Sequence, residues 1–166
     1  MMVRTATPDD ANKIARVHVE AWRVAYRGII ADSVLDGLSI EKRESQWREW
    51  IEAPPGPIEI FVSDDVKGFI SIGPSRDQGA TSSTQEIYAI YIDPARWLTG
   101  LGRALTEHAI ESARKRGAKR ITLWVLEANR AARSFYERMG FSLDGEKKID
   151  RIGDADLVEL RYARTL

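Results

Sequence analysis

The stretch IYIDPARWLTGLGRAL, residues 90–105, decides the fold of the second half of the chain. An apolar strand rich in β-branched and aromatic residues ends at Asp93, and a glycine turn at Gly100 and Gly102 then opens a helix. Glycine lets the backbone approach a ligand closely, and the first turn of a helix carries amides without an internal partner. These amides and the helix dipole favour an anion such as a pyrophosphate. Alternatively, the turn only starts a helix.

Strands and helices alternate outward from this stretch. Towards the C-terminus, the pattern predicts a helix that ends at Gly117, a second strand, a helix capped by Asn129 and ended by Gly140, and a last strand. Such an order indicates a mixed α/β sheet with helices on both faces. The predicted strands are residues 3–6, 58–63, 66–72, 86–92, 120–126 and 157–162, and the predicted N-terminal helices are residues 7–28 and 31–53 with a break near 37–39.

Composition limits the class of protein. The 166 residues have the length of one ordinary globular domain, so we expect a single domain over residues 1–166. Twenty-five basic residues balance twenty-five acidic ones, which argues against nucleic acid as the main partner. The chain has no cysteine and therefore no thiolate zinc site, thiol nucleophile or disulfide. The sequence shows neither a secretion signal nor an apolar run of the ~20 residues that span a bilayer. We expect a cytoplasmic protein without a membrane partner.

The glycine turn does not match the commonest nucleotide-binding motifs. The lysine of a P-loop is absent, and Leu105 stands where a dinucleotide motif has its third small residue. The HExxH and GxSxG motifs are absent as well. The turn therefore indicates another kind of phosphate-binding site.

Two motifs in residues 86–141 resemble the GNAT superfamily of acyl-CoA N-acyltransferases. The first is the superfamily signature Q/R-x-x-G-x-G/A after a strand that ends near Asp-Pro, of which the chain has both glycines. The stretch AWRVAYRGII, residues 21–30, further resembles a PaiA-like branch. The second motif is similar to N-x-x-A-x-x-F-Y-x-x-x-G-F and is present as Asn129, Ala132, Phe135, Tyr136, Gly140 and Phe141.

The chain departs from the signature before the glycines. Trp97 replaces its glutamine or arginine, Leu98 stands where a small residue is frequent, and Thr99 where a basic residue is common. Backbone amides hold phosphates without help from side chains, but the lost positive charge predicts weaker CoA binding. Arg96 or Arg103 could compensate in part.

The resemblance implies a fold and an activity. The fold is of the α/β (α+β) class, with a mixed, mostly antiparallel central sheet, helices on both faces, and a parallel pair formed by strands 86–92 and 120–126 that splay apart. The activity is transfer of an acetyl group from acetyl-CoA, without a metal, to a primary amine of a small molecule or peptide by direct attack. A catalytically silent acyl-CoA-binding regulatory module is the alternative. Similar folds are often homodimers, and the PaiA-like stretch favours a polyamine or a similar small amine.

The resemblance also implies which residues hold the cofactor. The amide of Ile90 would hydrogen-bond the acetyl oxygen and stabilise the oxyanion, and the backbone of Ile92 would hold the pantetheine arm. Amides around Gly100 and Gly102 would hold the pyrophosphate. The implied cofactor-binding residues are Ile90, Tyr91, Ile92, Leu98, Thr99, Gly100, Leu101, Gly102, Arg103, Ala104, Asn129 and Arg133.

Tyr136 and Glu86 are the candidate catalytic residues. A phenol can protonate the leaving thiolate, although Tyr136 also lies on the apolar stripe of its helix and could be a core residue. A carboxylate can deprotonate the acceptor ammonium, and Glu86 lies where related histone acetyltransferases carry a catalytic glutamate. It could equally be an ordinary exposed glutamate at a strand end. Asn129 is compatible with a helix cap and with a place near the CoA arm.

Overall fold

A seven-stranded sheet forms the centre of the protein in a computed structural model that describes all of Met1–Leu166. The strands are β1 Val3–Thr5, β2 Glu59–Ser63, β3 Gly68–Pro74, β4 Thr84–Ile92, β5 Arg120–Leu126, β6 Ser142–Ile152 and β7 Ala155–Thr165. Their spatial order is β1-β2-β3-β4-β5-β7-β6, and β4 and β5 are the only parallel neighbours. The predicted mixed, mostly antiparallel sheet is confirmed.

Five α-helices cover the sheet, and local sequence signals explain where they begin. The Ser39 hydroxyl caps α3 by accepting from the amide of Lys42 at 3.2 Å, after a break at Gly37. Asn129 likewise caps α5 by accepting from the amide of Ala132 at 3.1 Å, so the cap predicted there is present. The helices are α1 Ala11–Ala25, α2 Asp32–Asp36, α3 Ile40–Glu52, α4 Leu101–Lys115 and α5 Arg130–Arg138.

Each face of the sheet has its own apolar core. The larger core joins α4 and α5 to the sheet through residues such as Leu105, Ile121 and Tyr136. The smaller core joins α1 and α3 to the opposite face through residues such as Ile14 and Trp47. Alternate residues of a strand point to opposite faces, so one strand supplies side chains to both cores. No helix of the chain combines the length and apolar character that a membrane-spanning helix needs.

The parallel pair separates halfway along its length. β4 and β5 pair from Thr84↔Arg120 to Ile87↔Leu123 and no further. On their outer edges, β4 stays paired with β3 as far as Ile92, and β5 stays paired with β7 through residue 126. The inner edges of residues 88–92 and 124–126 therefore face each other without hydrogen bonds between them, as the predicted splay requires.

A β-bulge shapes β4 at the point of separation. Ser71 of β3 pairs with Ala89, and Ile72 pairs with Ile87, so Tyr88 is an extra residue without a partner on β3. Gly73 makes room for it, because a Cβ atom on this glycine would lie 2.6 Å from the Tyr88 hydroxyl oxygen. A bulge bends its strand, and this one lies at the point where β4 and β5 stop pairing.

β6 is absent from the elements that the sequence predicts. Its 11 residues, SLDGEKKIDRI, contain six charged side chains, and almost all of them are exposed because the strand lies at the edge of the sheet. Neither the apolar alternation of a half-buried strand nor an apolar run is present to reveal it. Charged side chains on an edge strand instead discourage pairing with other chains.

Candidate active site

A cleft of about 1490 Å³ opens where β4 and β5 separate. Its walls come from α1, the two splayed strands, the start of α4, α5, and the β6–β7 hairpin. Because the gap interrupts the sheet itself, the cleft reaches both of its faces. Large pockets with mostly apolar walls and a few converging polar groups are the usual form of a small-molecule site.

Six consecutive amides, from Leu98 to Arg103, donate to no acceptor in the protein at the start of α4. The first hydrogen bond of the helix runs from the amide of Ala104 to the carbonyl of Gly100, at 3.0 Å. Gly100 has φ +87° and Leu98 has φ +61°, so the backbone turns through two left-handed residues here. Free amides at a helix N-terminus with its positive dipole form an anion-binding surface.

The space in front of these amides depends on Gly102. A Cβ atom there would lie 3.3 Å from the ring of Phe135 in α5 and 3.8 Å from Ile92 in β4. The glycine therefore lets the helix start approach both other walls of the cleft. The predicted glycine turn is present, and its amides and narrow walls fit a pyrophosphate attached to an extended chain.

Trp97 closes this turn in a way that the sequence did not reveal. Its indole N–H donates to the carbonyl of Ile92 at 2.9 Å and so fastens the turn to the end of β4. The carbonyl expected to hold pantetheine thus accepts a hydrogen bond from the protein itself. The two neighbouring arginines are also paired, Arg96 with Asp65 and Arg103 with Glu107, which reduces the positive charge they can offer.

Not all predicted cofactor residues reach the cleft. The Arg133 side chain donates to the carbonyl of Glu127 at 3.0 Å and to the Tyr162 hydroxyl at 3.1 Å, outside the cleft. The amide of Ala104 is engaged within the helix, and the side chain of Leu101 is buried in the larger core. Those that line the cleft are Ile90, Tyr91, Ile92, Leu98, Gly100, Gly102, Arg103 and Asn129, together with both candidate catalytic residues, Tyr136 and Glu86.

Tyr136 lies at the bottom of the cleft, between Phe135 and Phe141. Its hydroxyl has no hydrogen-bond partner in the protein. Burial raises the pKa of this phenol above its usual value. The group therefore keeps its proton at neutral pH, as an acid that protonates a thiolate must.

Glu86 is buried and held by one partner. The side chain is 1% exposed, and Arg76 donates to it from the backbone amide at 2.8 Å and from the guanidinium at 2.7 Å. The alternative interpretation of Glu86 as an ordinary exposed glutamate at a strand end is therefore wrong. The guanidinium also lies 4.2 Å above the ring of Tyr88, so Glu86, Arg76 and the bulge form one unit.

A second carboxylate, on β7, escaped the sequence analysis. Glu159 lines the same cleft, and its carboxylate lies 3.5 Å from Lys148 of β6, which in turn lies over the ring of Trp124. Burial raises its pKa above the usual value, although Lys148 opposes this shift. Only the apolar context of residues 157–162 could have singled it out, and it belonged to no motif.

His18 takes a structural position beneath the cleft. It is buried between α1 and α3, where its Nδ1 accepts from the indole of Trp47 at 3.1 Å, and it stacks on Tyr91 with ring centroids 5.0 Å apart. Burial lowers the pKa of His18 to about 3, so the ring is neutral at physiological pH. It supports the wall that Tyr91 forms.

The cleft thus joins a surface for an anion, an open strand edge, a protonated phenol and carboxylates. Such a set suits acyl transfer from a phosphate-bearing thioester to an amine, which needs positioning, an acid and a base.

Comparisons with known proteins agree with this chemistry. The sequence profile of the acetyltransferase (GNAT) family matches residues 19–141. The chain is 35% identical over 131 residues to the uncharacterized N-acetyltransferase YuaI of Bacillus subtilis, covering 76% of this chain and 72% of that protein. It is 30% identical over 135 residues to the peptidyl-lysine N-acetyltransferase YjaB of Escherichia coli, covering 79% and 82%.

The fold has solved counterparts. PaiA N-acetyltransferase from Thermoplasma acidophilum, crystallised with coenzyme A, superimposes with a TM-score of 0.73 over 99% of this chain and 98% of that one, at 20% identity. This likeness confirms the fold that the two motifs implied. With the family profile covering most of its length, the chain belongs to the GNAT family of N-acetyltransferases.

Proposed function

We propose that the protein transfers the acetyl group of acetyl-CoA to a primary amine of a small molecule or peptide by direct attack. The observation that carries the proposal is the row of free amides at the start of α4 beside the splayed strands. A pyrophosphate fits the former, and an extended pantetheine arm fits the latter. Family membership supports the reaction, and the YjaB relative supports an amine on a peptide as one kind of acceptor.

The open edge of β4 would position the thioester. Residues 88–92 have no partner strand on the side of β5, so a linear molecule with amide groups can pair there as an added strand. The amide of Ile90 would then donate to the acetyl oxygen, where negative charge develops during attack. One such donor contributes about 3–4 kcal/mol where it has been measured.

Tyr136 would protonate the sulfur that leaves. Its hydroxyl is free of internal partners, and its raised pKa keeps it protonated until a basic thiolate forms beside it. Asn129 would contact the CoA arm with the amide nitrogen of its side chain, because only the oxygen is used in capping α5.

Thermal unfolding with saturating acetyl-CoA tests the proposal. A ligand at ~100 times its dissociation constant adds roughly 2.7 kcal/mol to the free energy of unfolding, and the melting temperature should rise accordingly. NAD and ATP at the same concentration serve as controls. An unchanged melting temperature with acetyl-CoA would refute the cofactor site. A rise without thiol release in the presence of amines would favour the silent CoA-binding module instead.

A further inference from the structure

The two glutamates of the cleft differ in how their charges are satisfied. Arg76 gives Glu86 two short hydrogen bonds, whereas the cation beside Glu159, whose side chain is 17% exposed, is Lys148 at the longer distance of 3.5 Å. A carboxylate in a largely apolar cleft needs donors to offset its desolvation, and one long contact does so only in part. A cationic partner that arrives from solvent could supply shorter hydrogen bonds.

A cation from the chain itself already lies beside Glu159. The Nζ atom of Lys148 is 3.5 Å from the carboxylate and 4.3 Å from the ring centroid of Trp124. An ammonium over an indole face and next to a carboxylate is bound by both. The contact to Glu159 is long, and the lysine side chain is 46% exposed, so it can leave this place at little cost.

The position of Glu159 along the sheet suits a role in the reaction. It pairs with Leu126, which lies three residues beyond the last β4–β5 pair, at Leu123. On the other side of the gap, Ile90 likewise lies three residues beyond the last paired residue, Ile87. Because Tyr88 is an extra residue on β4, the carboxylate lies about one residue step further along the gap than the proposed oxyanion donor, separated from it by β5 and the gap.

We propose that Glu159 and the face of Trp124 bind the ammonium group of the acceptor, that Lys148 occupies this site until the acceptor displaces it, and that Glu159 then removes the proton. The inference rests on the proposed acetyl transfer. A lysine side chain is an n-butylammonium group, so the acceptor is a straight-chain primary alkylammonium. Glu86 keeps the structural task of holding Arg76.

The proton balance of this step is complete. The acceptor ammonium gives one proton to Glu159 and becomes an amine, which forms the C–N bond while the C–S bond of the thioester breaks. Tyr136 gives its proton to the leaving sulfur. The nitrogen then loses a second proton, which balances the one that Tyr136 gave up. Glu159 returns its proton to solvent.

The charges around Glu159 set the pH at which it can act. Burial and Asp150 raise its pKa, while Lys148 and Arg76 lower it, and the net shift is upward. The acceptor ammonium that displaces Lys148 takes over its lowering effect on this pKa, and that effect ends when the proton moves to Glu159. The titratable and charged groups that face it are Lys148 and Asp150 from β6, Arg76 from the β3–β4 loop, Tyr26 directly after α1, and Tyr91 from β4.

Binding of n-butylammonium chloride tests the site without any turnover. We expect it to raise the melting temperature above that in sodium chloride of equal ionic strength. The rise should be larger in Lys148→Met, which empties the site, and absent in Glu159→Gln. Lys147→Met is the matched control, because this lysine on the opposite face of β6 makes no ion pair, and it should behave as the wild type. Equal melting temperatures in the two salts for all variants would overturn the inference.

Turnover separates this inference from the proposed function. With acetyl-CoA and n-butylamine, Glu159→Gln should lower kcat/KM by about 100-fold or more and remove its fall at acidic pH, while acetyl-CoA still stabilises the variant. Lys148→Met should lower the KM for the amine, because the acceptor no longer has to displace the lysine. If Glu159→Gln keeps the turnover and the pH profile of the wild type, the role of Glu159 is refuted and the proposed acetyl transfer stands. Loss of acetyl-CoA stabilisation in the wild type would instead refute the proposed function.

Discussion

Tyr136 belongs to the apolar core through its ring and to the cleft through its hydroxyl. Its ring packs in the larger core, as the apolar stripe of α5 predicts, and its hydroxyl still ends in the cleft without a partner. The two interpretations of the sequence therefore do not exclude each other. Replacing the hydroxyl breaks no hydrogen bond and leaves the packing in place.

Tyr136→Phe should separate catalysis from binding. Loss of the proposed acid lowers kcat by about 100-fold or more, whereas the rise in melting temperature with acetyl-CoA stays as in the wild type. Tyr162→Phe is the matched control, since its buried hydroxyl bonds Arg133 and Glu137 outside the cleft. It should cost about 1 kcal/mol of stability and leave kcat intact. Equal kcat for Tyr136→Phe and the wild type would exclude Tyr136 as the acid.

His18 makes stability depend on pH. Its pKa is about 3 in the folded protein and near 6.5 in the unfolded chain, so between these values the unfolded chain binds more protons. The contribution of His18 to the free energy of unfolding is therefore fully present above pH 6.5, and it is lost as the pH falls from 6.5 towards 3. Denaturant unfolding at pH 8 and pH 5 should show a smaller loss in His18→Gln than in the wild type. His108 is exposed, so the variant His108→Gln should lose as much stability between pH 8 and pH 5 as the wild type.

At the level of single residues, the sequence predicted cleft residues that are part of a motif and missed cleft residues that are not. Tyr136 and the two glycines of the turn reach the cleft because their motif encodes a strand–turn–helix geometry. Arg133 has the right place in the sequence, yet its guanidinium bonds the backbone of Glu127. Glu159 has no motif, because its position depends on which strand lies next to β5. Side-chain direction and long-range pairing are not encoded in local spacing.

The β4 bulge lies where the cleft begins. It places one extra residue, Tyr88, between two registers of the β3–β4 pair, and this residue takes part in the unit that holds Glu86. The bulge depends on the missing side chain of Gly73 on the neighbouring strand. A change on β3 should therefore be felt in the cleft.

Gly73→Ala should distort the bulge. The new methyl group would lie 2.6 Å from the Tyr88 hydroxyl oxygen, so strand and ring must shift. Overpacking of this kind typically costs about 1–3 kcal/mol. We expect a lower melting temperature and a reduced kcat/KM for acetyl-CoA. Gly56→Ala is the control, because open space surrounds that glycine and it should behave as the wild type. Wild-type stability and kinetics in Gly73→Ala would show that the bulge absorbs the methyl group.

Local sequence signals predicted the capped helices and the apolar strands, but they did not predict β6 or the bulge. Asn129 and Ser39 begin helices as their capping side chains indicate, and β4 and β5 follow from their apolar runs. β6 could not be predicted, since an exposed edge strand has no apolar pattern and is held by its partner β7. The bulge has no local signature either, because it results from the register between two strands.

The whole molecule consists of two half-sheets joined by four residue pairs. Strands β1–β4 form one half and β5–β7 the other, and the pairs from Thr84↔Arg120 to Ile87↔Leu123 are their only strand contact. The sequence predicted the parallel pair and its splay through the family resemblance. It did not predict that β7 lies between β5 and β6, because strand order is a property of the complete sheet.

Acetyl-CoA should bind the two halves together. A ligand that fills the gap pairs with the open edge of β4 and contacts α5, which packs on the other half. Hydrogen–deuterium exchange of residues 88–92 and 98–103 should slow on addition of acetyl-CoA, by an amount that follows the gain in stability. Unchanged protection at 98–103, together with a raised melting temperature, would place the cofactor elsewhere.

The anion surface at the start of α4 is built from the peptide backbone, and this has an evolutionary consequence. Its six donors are present whatever the side chains of residues 98–103 are, because every amino acid except proline carries an amide hydrogen. Neutral drift can therefore replace even the glutamine or arginine of the family signature by Trp97, whereas proline and changes at the glycines would be purged. The acceptor side consists of side chains alone and is free to diverge, so new specificities can evolve on an unaltered cofactor platform.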